Sequence, residues 1–572
     1  MPLLASDQPS SIATRQRLVR VAQGLEPADL LIHDALIADV HTLTTFVGNV
    51  AIADGLIARV GARLPALETF DAAGMVLTPG LIDAHIHIES SLLTPRRFAE
   101  VVLPRGTVGV VAEPHEIANV IGLDGIRVML EAGAQTPLSV WLSAPSCVPA
   151  SPFEAAGARL AAADLERALE LPGVLGLAEM MNYPGVLSLA PEVWAILEVA
   201  HNKRQDGHAP GVCGAAWQAY VAAGLESDHE TVSESEALER LRSGTWLMVR
   251  DGSAARNLEA LAPLIARLKP PRAMLVTDDA DAAELLEQGH CDRLLKKAIA
   301  CGIPPVYALR MLTLAPAEYW RIPQRGAVAA GQLADLVLWD SLETANAQVV
   351  WRSGQMVAKE GNLLAVSTAF DFPQKARQSV HLPKEIQLKT VPKLQPIIGV
   401  DPLQIRTEKL PPQRIGAANP ELDLVKLAVV ERHSGQGKTG VGFAKGIGLK
   451  RGAIAQSIAH DAHNIICAGV SDADMELAIR QLGQIQGGVV VVADGQVLAL
   501  LELPVAGLMS DAPAKAVVEQ QRHLEAVVKG LGCTLPHPIV TLAFLALTVI
   551  PSLKITERGL FDVGAFALLE LA

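Results

Sequence analysis

The chain has 572 residues, of which 50% are hydrophobic and 19% charged, so it can bury more than one core and long disordered regions are not expected. Its net charge of −13 argues against a protein that binds nucleic-acid backbones, because such proteins need a basic face. Six cysteines without a Cys-x-x-Cys spacing argue against a disulfide framework or a zinc knuckle and favour a reducing compartment.

The N-terminal segment is polar over residues 1–20 and lacks the apolar run of a secretory signal. Residues 11–24 instead have the periodicity of an amphipathic helix. From residue 28 to residue 76 the pattern changes to short β-type runs separated by turn residues. We interpret residues 1–76 as a helix followed by the first part of a small β domain.

Residues 77–325 alternate short apolar runs with longer helical patterns. Alternation of this length favours an α/β fold with a (β/α)8 barrel of the TIM type over an open sheet. The alternation alone does not decide between them, and the chemistry at the strand ends, described below, favours the barrel.

The remaining chain returns to β character over residues 326–370, which we expect to pair with the N-terminal segment in one small β-sandwich domain. Residues 371–412 are rich in Pro, Lys and Gln and indicate a linker with edge segments. Residues 413–572 mix glycine-rich turns, strands and helices and predict an additional α+β domain. The most hydrophobic run, 539–550, is too short to span a bilayer. We therefore expect a soluble, cytoplasmic protein with no membrane or nucleic-acid partner.

The most informative segment runs from Thr78 to Ser91 and contains His85 and His87 at a spacing of two. On a strand that spacing places both imidazoles on one face, about 7 Å apart along the backbone. The C-terminal end of a barrel strand is where barrel enzymes hold a metal. An isolated His-x-His arises more often by chance or as a core pair.

Further candidate side chains follow other strand-like runs of the barrel: Glu113, His115, Glu116, Glu179, His208, His229, Asp278 and Asp279. Each has a commoner explanation when taken alone, such as a solvated glutamate, a satisfied histidine or a helix-capping aspartate. As an ordered set on successive strand ends, however, four imidazoles and two carboxylates would meet at one mouth. That donor set suits two divalent cations.

Several longer stretches are together far more specific than a single His-x-His. They are residues 83–91, 114–119, 177–181, 206–208, 252–257, 277–279, 448–453, 460–464 and 504–510. Through them the sequence resembles the bacterial adenine deaminases of the amidohydrolase superfamily over essentially its whole length.

The resemblance implies a binuclear metal centre that holds manganese or iron, with zinc as an alternative. His85 and His87 would bind the first metal, Glu179 would bridge both in place of the carboxylated lysine of many relatives, and Asp278 would complete the first site. His208 and His229 would bind the second metal. We prefer Asp278 to Asp279 because the residue at the strand end should point into the barrel.

The resemblance also implies hydrolytic deamination of adenine to hypoxanthine and ammonia in purine salvage, by attack of a metal-bridging hydroxide on C6. Asp278 would take the proton of the attacking water and help return protons to ammonia. Ring nitrogen N1 must gain a proton, so a protonated carboxyl group should face it. Glu116 and Glu113 are the candidates, with His115 in support.

The substrate-binding candidates are Glu89, Asp279 and Arg256. Two of them also have a structural explanation. Glu89 could equally belong to a capped helix start, and Arg256 to a surface salt bridge. The string His460-Asp-Ala-His-Asn464 is either a self-stabilised turn or a loop that closes the barrel mouth.

The rival activities are an amidohydrolase acting on another aminopurine or on a cyclic amide, and a catalytically silent relative that serves as a scaffold. The intact set of metal-type residues argues against the silent relative. The abundance of apolar residues makes a homodimer plausible, without defining its interface.

Overall fold

The computed structural model describes residues 11–253, 255–365, 367–402 and 406–570. Residues 1–10 of the predicted N-terminal segment and residues 571–572 of the predicted last domain lie outside it. The first helix, Ile12–Ala22, begins after Ser11, whose hydroxyl accepts the backbone N–H of Thr14. Its buried face packs on the small β domain through Leu18 and Val21.

The small β domain is built from both flanks of the barrel, as the sequence predicts. Strand Val76–Pro79 joins the two flanks, because it pairs in parallel with the first strand and antiparallel with Leu336–Trp339. The expected β-sandwich is therefore one hydrogen-bonded sheet of nine strands. Its strands are Ala28–Asp39, Thr44–Ala53, Leu56–Gly61, Ala66–Asp71, Val76–Pro79, Leu336–Trp339, Ala347–Arg352, Gln355–Lys359 and Asn362–Leu363.

The central unit contains eight parallel barrel strands, which we number in chain order. They are Leu81–His87, Thr107–Ala112, Ser139–Ala144, Val174–Met180, Arg204–Gly207, Ser227–Asp228, Trp246–Arg250, and Ala273–Val276 continued by Asp278–Asp279.

The barrel strands close into a ring through two contacts. The eighth pairs with the first through Asp278 and Ile86. The fifth and sixth meet where the backbone N–H of Glu226 donates to the carbonyl of Gln205 at 2.9 Å. Adjacent parallel pairs complete the ring, so the predicted (β/α)8 architecture is confirmed.

The helices of the barrel bury the outer faces of the strands, which explains the near-continuous apolar runs such as Thr107–Ala112. Inside, Trp141, Trp246 and Met274 pack with Tyr319 and Trp320 of the last barrel helix. The helices are Pro95–Val102, His115–Ile121, Leu123–Gly133, Ala162–Leu169, Tyr183–Leu187, Pro191–Val199, Gly214–Ala222, Glu234–Arg242, Leu258–Leu268, Ala282–Glu287, Cys291–Ala300, Pro305–Met311 and Leu314–Trp320.

The C-terminal domain is organised around an eight-stranded sheet that begins upstream of the predicted boundary. Strand Lys393–Val400 lies inside this sheet, where it pairs with Thr407–Ile415 and with Thr439–Lys445, and Thr407–Ile415 spans the expected boundary at 412. The sequence analysis missed the extent of these strands because the Pro- and Lys-rich stretch buries few of their side chains. The other strands are Val425–Val430, Thr439–Lys445, Ala453–Gln456, Ile465–Gly469, Gly488–Ala493 and Gln496–Glu502. The helices are Gln374–Arg377, Asp472–Ile485, Ala514–Gly530 and Pro538–Phe544, and a small sheet comprises Leu553–Thr556, Gly559–Asp562 and Ala567–Leu568.

The C-terminal domain packs against the barrel through polar and apolar contacts. Thr94 donates to Asp511 at 3.0 Å, and Asn464 donates to the carbonyl of Ala155 at 2.7 Å. One continuous hydrophobic core contains residues of both units. Within the described residues, the helices are all too short or too polar to cross a bilayer.

Candidate metal centre

The first and eighth barrel strands bring two histidines against one carboxylate. Oδ1 of Asp278 lies 3.2 Å from Nε2 of His87 and 3.6 Å from Nε2 of His85. Asp278 has φ 63°, a left-handed conformation that aspartate tolerates better than most residues. Asp278 pairs with Ile86 between the eighth and first strands, and this pairing places Asp278 beside His85 and His87.

Glu179, at the end of the fourth strand, lies between this cluster and two further histidines. Its Oε1 is 3.6 Å from Nε2 of His87. Its Oε2 is 2.6 Å from Nδ1 of His208 and 3.1 Å from Nε2 of His229. The structure thus brings together all six side chains that the sequence analysis proposed as metal ligands, and Glu179 lies between the two pairs of histidines.

The electrostatics of the cluster favour negative carboxylates beside positive partners. Burial alone would raise the pKa of Glu179, but His208 and His229 hold it well below its usual range. Burial likewise would raise the pKa of Asp278, but His85 and His87 lower it well below the ordinary value.

The donor atoms fit divalent metal ions. Within the described part of the chain, Nε2 of His85 and Oε2 of Glu179 are buried without a hydrogen bond of good geometry, which is costly unless another partner satisfies them. Several triplets of ligand atoms, such as those of His85, His87 and Asp278, lie within 4.8 Å of one another. Imidazole and carboxylate donors suit manganese, iron and zinc.

Three charged residues around the cluster were not singled out from the sequence. Arg250 donates to Oδ2 of Asp278 at 2.9 Å and to Glu230 at 2.5 and 2.8 Å. Oδ2 of Asp206 lies 3.4 Å from Nδ1 of His85. Arg250 ends the seventh strand, so the strand-end rule that identified the other candidates also applied to it.

Glu113 and His115 lie next to Glu179. Oε2 of Glu113 accepts the backbone N–H of Glu179 at 3.2 Å, and its Oε1 is 3.5 Å from Nδ1 of His115. The carbonyl of Glu113 lies 3.2 Å from Nδ1 of His87. Burial and the Glu179 carboxylate raise the pKa of Glu113. These contacts give Glu113 a supporting place beside the ligands.

Glu116 is connected to the eighth strand through a serine. The hydroxyl of Ser90 donates to Oδ1 of Asp279 at 2.5 Å and lies 3.3 Å from Oε1 of Glu116. Burial raises the pKa of Glu116 to about 8. Glu89 is also buried and accepts the backbone N–H of Ile117 at 3.4 Å, in a short 3-10 helix, Ile88–Ser91.

The structure separates the last two sequence candidates. Arg256 pairs with Glu284 at 3.1 Å, and its side chain is 49% exposed, which favours the salt-bridge alternative. The string 460–464 instead reaches the barrel mouth. Nδ1 of His460 lies 3.6 Å from Oε1 of Glu116, and Nε2 of His463 lies 3.8 Å from Oε2.

Comparisons with known proteins cover both the barrel and the C-terminal domain. A family model described as the amidohydrolase family matches residues 76–364, and one described as the adenine deaminase C-terminal domain matches residues 405–567. The adenine deaminase of Deinococcus deserti is 48% identical, over 98% of this chain and 98% of that protein. The adenine deaminase of Archaeoglobus fulgidus is 44% identical, over 99% of each chain. A solved structure titled as an adenine deaminase is 19% identical with a TM-score of 0.46, covering 58% of this chain and 100% of that one.

Proposed function

This chain belongs to the adenine deaminase family of amidohydrolases, and from that premise we propose that it converts adenine and water to hypoxanthine and ammonia. The observation that carries the proposal is the end-to-end match to relatives of that name, at 48% and 44% identity, which includes the C-terminal domain.

The proposed metal ligands are His85, His87, Glu179, His208, His229 and Asp278. Glu179 would hold both ions, since its two carboxylate oxygens face different histidines. Two divalent cations bound there would lower the pKa of a coordinated water toward about 7. Manganese or iron is the proposed metal, with zinc as the alternative.

Asp278 is the proposed general base. Arg250 binds its Oδ2, so Oδ1 is the oxygen directed at His85 and His87. The pKa of Asp278 lies well below its ordinary value, so the group is ionised at neutral pH and has a free site for the proton of the attacking water. The same group would return a proton to the departing ammonia.

Glu116 is the proposed acid for N1 of adenine. Its pKa of about 8 keeps much of it protonated at neutral pH, and burial is the main cause. Glu113 is the weaker candidate, because it is occupied by the backbone N–H of Glu179. Glu89 and Asp279, beside Glu116, are proposed to line the substrate site.

The rival activity is hydrolysis of another aminopurine or of a cyclic amide by the same ligands. We would measure ammonia release from a panel of purines, a hydantoin and a dihydropyrimidine, using manganese-loaded and iron-loaded enzyme. Adenine should be the preferred substrate, and Asp278→Asn should abolish turnover. Activity on the cyclic amides with none on adenine would overturn the proposal.

A cytoplasmic location and a homodimer complete the proposal. The dimer is testable by light scattering of the purified chain, which should give twice the mass of 60.4 kDa. A monomer mass at micromolar concentration would reject it.

A further inference from the structure

His463 is the most deeply buried histidine of the C-terminal turn that enters the barrel mouth. The backbone N–H of Ala459 donates to its Nδ1 at 3.3 Å. A neutral imidazole has one accepting and one donating nitrogen, so the ring proton must lie on Nε2. Burial and the neighbouring His460 lower the pKa of His463 well below its ordinary value, which keeps the ring neutral.

The Nε2–H group of His463 faces Glu116. The separation from Oε2 of Glu116 is 3.8 Å, a little longer than a hydrogen bond, and within the described part of the chain Nε2 has no hydrogen-bond partner. Both side chains are almost fully buried, so bulk water does not compete. Hydrogen bonds around a reacting centre are often long in ligand-free structures and tighten when substrate binds.

The other oxygen of Glu116 faces an acceptor. Ser90 has a single hydroxyl hydrogen, and the shorter of its two contacts, 2.5 Å to Asp279, takes it. The remaining 3.3 Å contact to Oε1 of Glu116 is then satisfied by a proton on Oε1 that is donated to the serine oxygen. A donor therefore faces Oε2, and the serine oxygen is an acceptor for Oε1. Nδ1 of His460, 3.6 Å from Oε1, can act as a second acceptor because its ring is neutral.

We propose that His463 is a positioning residue for adenine deamination, which fixes the orientation of the Glu116 carboxyl group by donating to Oε2 and leaves the acidic proton on Oε1. The inference rests on the proposed function and deepens it. It gives the C-terminal domain a part in the reaction, because no barrel residue supplies this donor among the described contacts of Glu116.

The same geometry argues against a third metal at this place. Ligand atoms of Glu116, His460 and His463 lie within 4.8 Å of one another, which is compatible with a cation. A metal would need the lone pair of Nε2 on His463, yet the N–H of Ala459 already takes the only free lone pair of the neutral ring.

The titratable groups around Glu116 come from four parts of the chain. They are His87 and Glu89 from the first strand and its 3-10 helix, His115 from the same helix as Glu116, Asp279 from the eighth strand, and His460 and His463 from the C-terminal turn. Among the described residues, His463 alone presents a donor toward Oε2, so the direction in which its removal shifts the pKa of Glu116 is defined. Loss of a donor disfavours the carboxylate and raises the pKa of Glu116.

The test compares His463→Asn with His463→Gln in the full-length, manganese-loaded enzyme. His463 has φ 51°, which asparagine tolerates well, so His463→Asn preserves the backbone but its amide is too short to reach Glu116. Glutamine can place an N–H near the position of Nε2. We expect His463→Asn to lower kcat for adenine about tenfold with little change in KM, and His463→Gln to recover part of the loss.

The pH profile separates positioning from packing. In His463→Asn the alkaline limb of kcat/KM should move up by about one pH unit, as expected for a lost hydrogen bond to a carboxylate. The variant His433→Asn is the matched control, because His433 also supports this turn through the carbonyl of Ala462 at 2.9 Å. It should lower the melting temperature and leave the alkaline limb in place.

A double-variant cycle makes the result decisive. Glu116→Gln alone should lower kcat about 10²-fold to 10³-fold, and adding His463→Asn should cost nothing more, because His463 acts through Glu116. Additive losses, an unmoved alkaline limb, or three metals in the wild type and two in His463→Asn would each overturn the inference. If the wild type releases no ammonia from adenine, the proposed function fails and this inference with it; an active wild type with an unchanged His463→Asn rejects only the inference.

Discussion

The histidines of the barrel mouth and those of the C-terminal domain lie close together but have opposite electrostatic surroundings. Burial lowers the pKa of both groups. In the barrel, carboxylates outweigh burial, so Glu230 and Glu179 raise the pKa of His208 to about 9, and Glu113 raises that of His115 to about 10.

In the C-terminal domain burial dominates. Together with the guanidinium of Arg432 it lowers the pKa of His433 to about 3, and the pKa of His460 falls to about 4. The histidine side chain is therefore stabilised in its positively charged form in the barrel and in its neutral form in the C-terminal domain. The carboxylates that hold a proton on the barrel histidines would hold a metal cation in its place, whereas the neutral histidines of the C-terminal domain suit fixed hydrogen bonding.

The largest loss of activity should come from removing one of the carboxylates that surround the barrel histidines. Glu179→Gln removes the carboxylate that faces three histidines, so both metals should be lost and kcat/KM should fall by more than about 10³-fold. Metal analysis and ammonia release measure the two losses. His201→Gln, at an exposed histidine, should change neither. Retention of two metals by Glu179→Gln would contradict a bridging role.

A smaller effect is expected when the cation that orients Asp278 is removed. Arg250→Met breaks the hydrogen bonds to Asp278 and Glu230, so kcat should fall about tenfold to 10²-fold while metal content stays near the wild-type level. Arg250→Lys should recover little, since one ammonium cannot reproduce the guanidinium geometry. Activity within twofold of the wild type in Arg250→Met would show that Asp278 needs no such support.

The contact between the barrel and the C-terminal domain predicts that the stability of the protein depends on pH. Burial and the carboxylate of Asp461 raise the pKa of Glu154 to about 8, where it accepts the hydroxyl of Thr548 at 3.0 Å. The unfolded value is about 4.3, so the folded state binds the proton more tightly and stability falls as pH rises from about 4 to 8. Glu154→Gln should remove part of this fall and raise the melting temperature by about 2–4 °C at pH 8.

The control for the pH test is the same pair of proteins at pH 4.5, where the melting temperatures should differ by much less. A constant difference across the range would mean that ionisation of Glu154 is not the cause.

The smallest change in activity should come from removing Arg256, which lies outside both groups of histidines. The ion pair between the half-exposed Arg256 and the buried Glu284 should contribute less than about 1 kcal/mol to stability. Arg256→Ala should therefore leave kcat/KM for adenine within about twofold. A rise in KM of tenfold or more would restore Arg256 to the substrate site.

The sequence predicted the parts of the site that depend on local spacing. His85 and His87 follow from a strand period of two, and Glu179 and Asp278 from their positions at the ends of apolar runs. The predicted preference for Asp278 over Asp279 agrees with its contacts to the two histidines, whereas Asp279 binds Ser90. Their roles as ligands stay predictions.

The parts that sequence reasoning missed depend on three-dimensional closure. The strand-end position of Arg250 could be seen in the sequence, but its hydrogen bond to Asp278 forms only because the seventh strand lies beside the eighth. The docking of His463 against Glu116 needs two domains to meet. The sheet order of the small β domain was also missed, since Val76–Pro79 looks the same in sequence whether it joins two sheets or completes one.

That strand has a consequence for how the protein is made. Val76–Pro79 leaves the ribosome long before its antiparallel partner, Leu336–Trp339, because the entire barrel is synthesised between them. A nascent or truncated chain that stops inside the barrel carries a sheet edge with free N–H and C=O groups, the kind of edge that recruits other chains. This edge can be covered only after the whole barrel has been synthesised and Leu336–Trp339 has emerged.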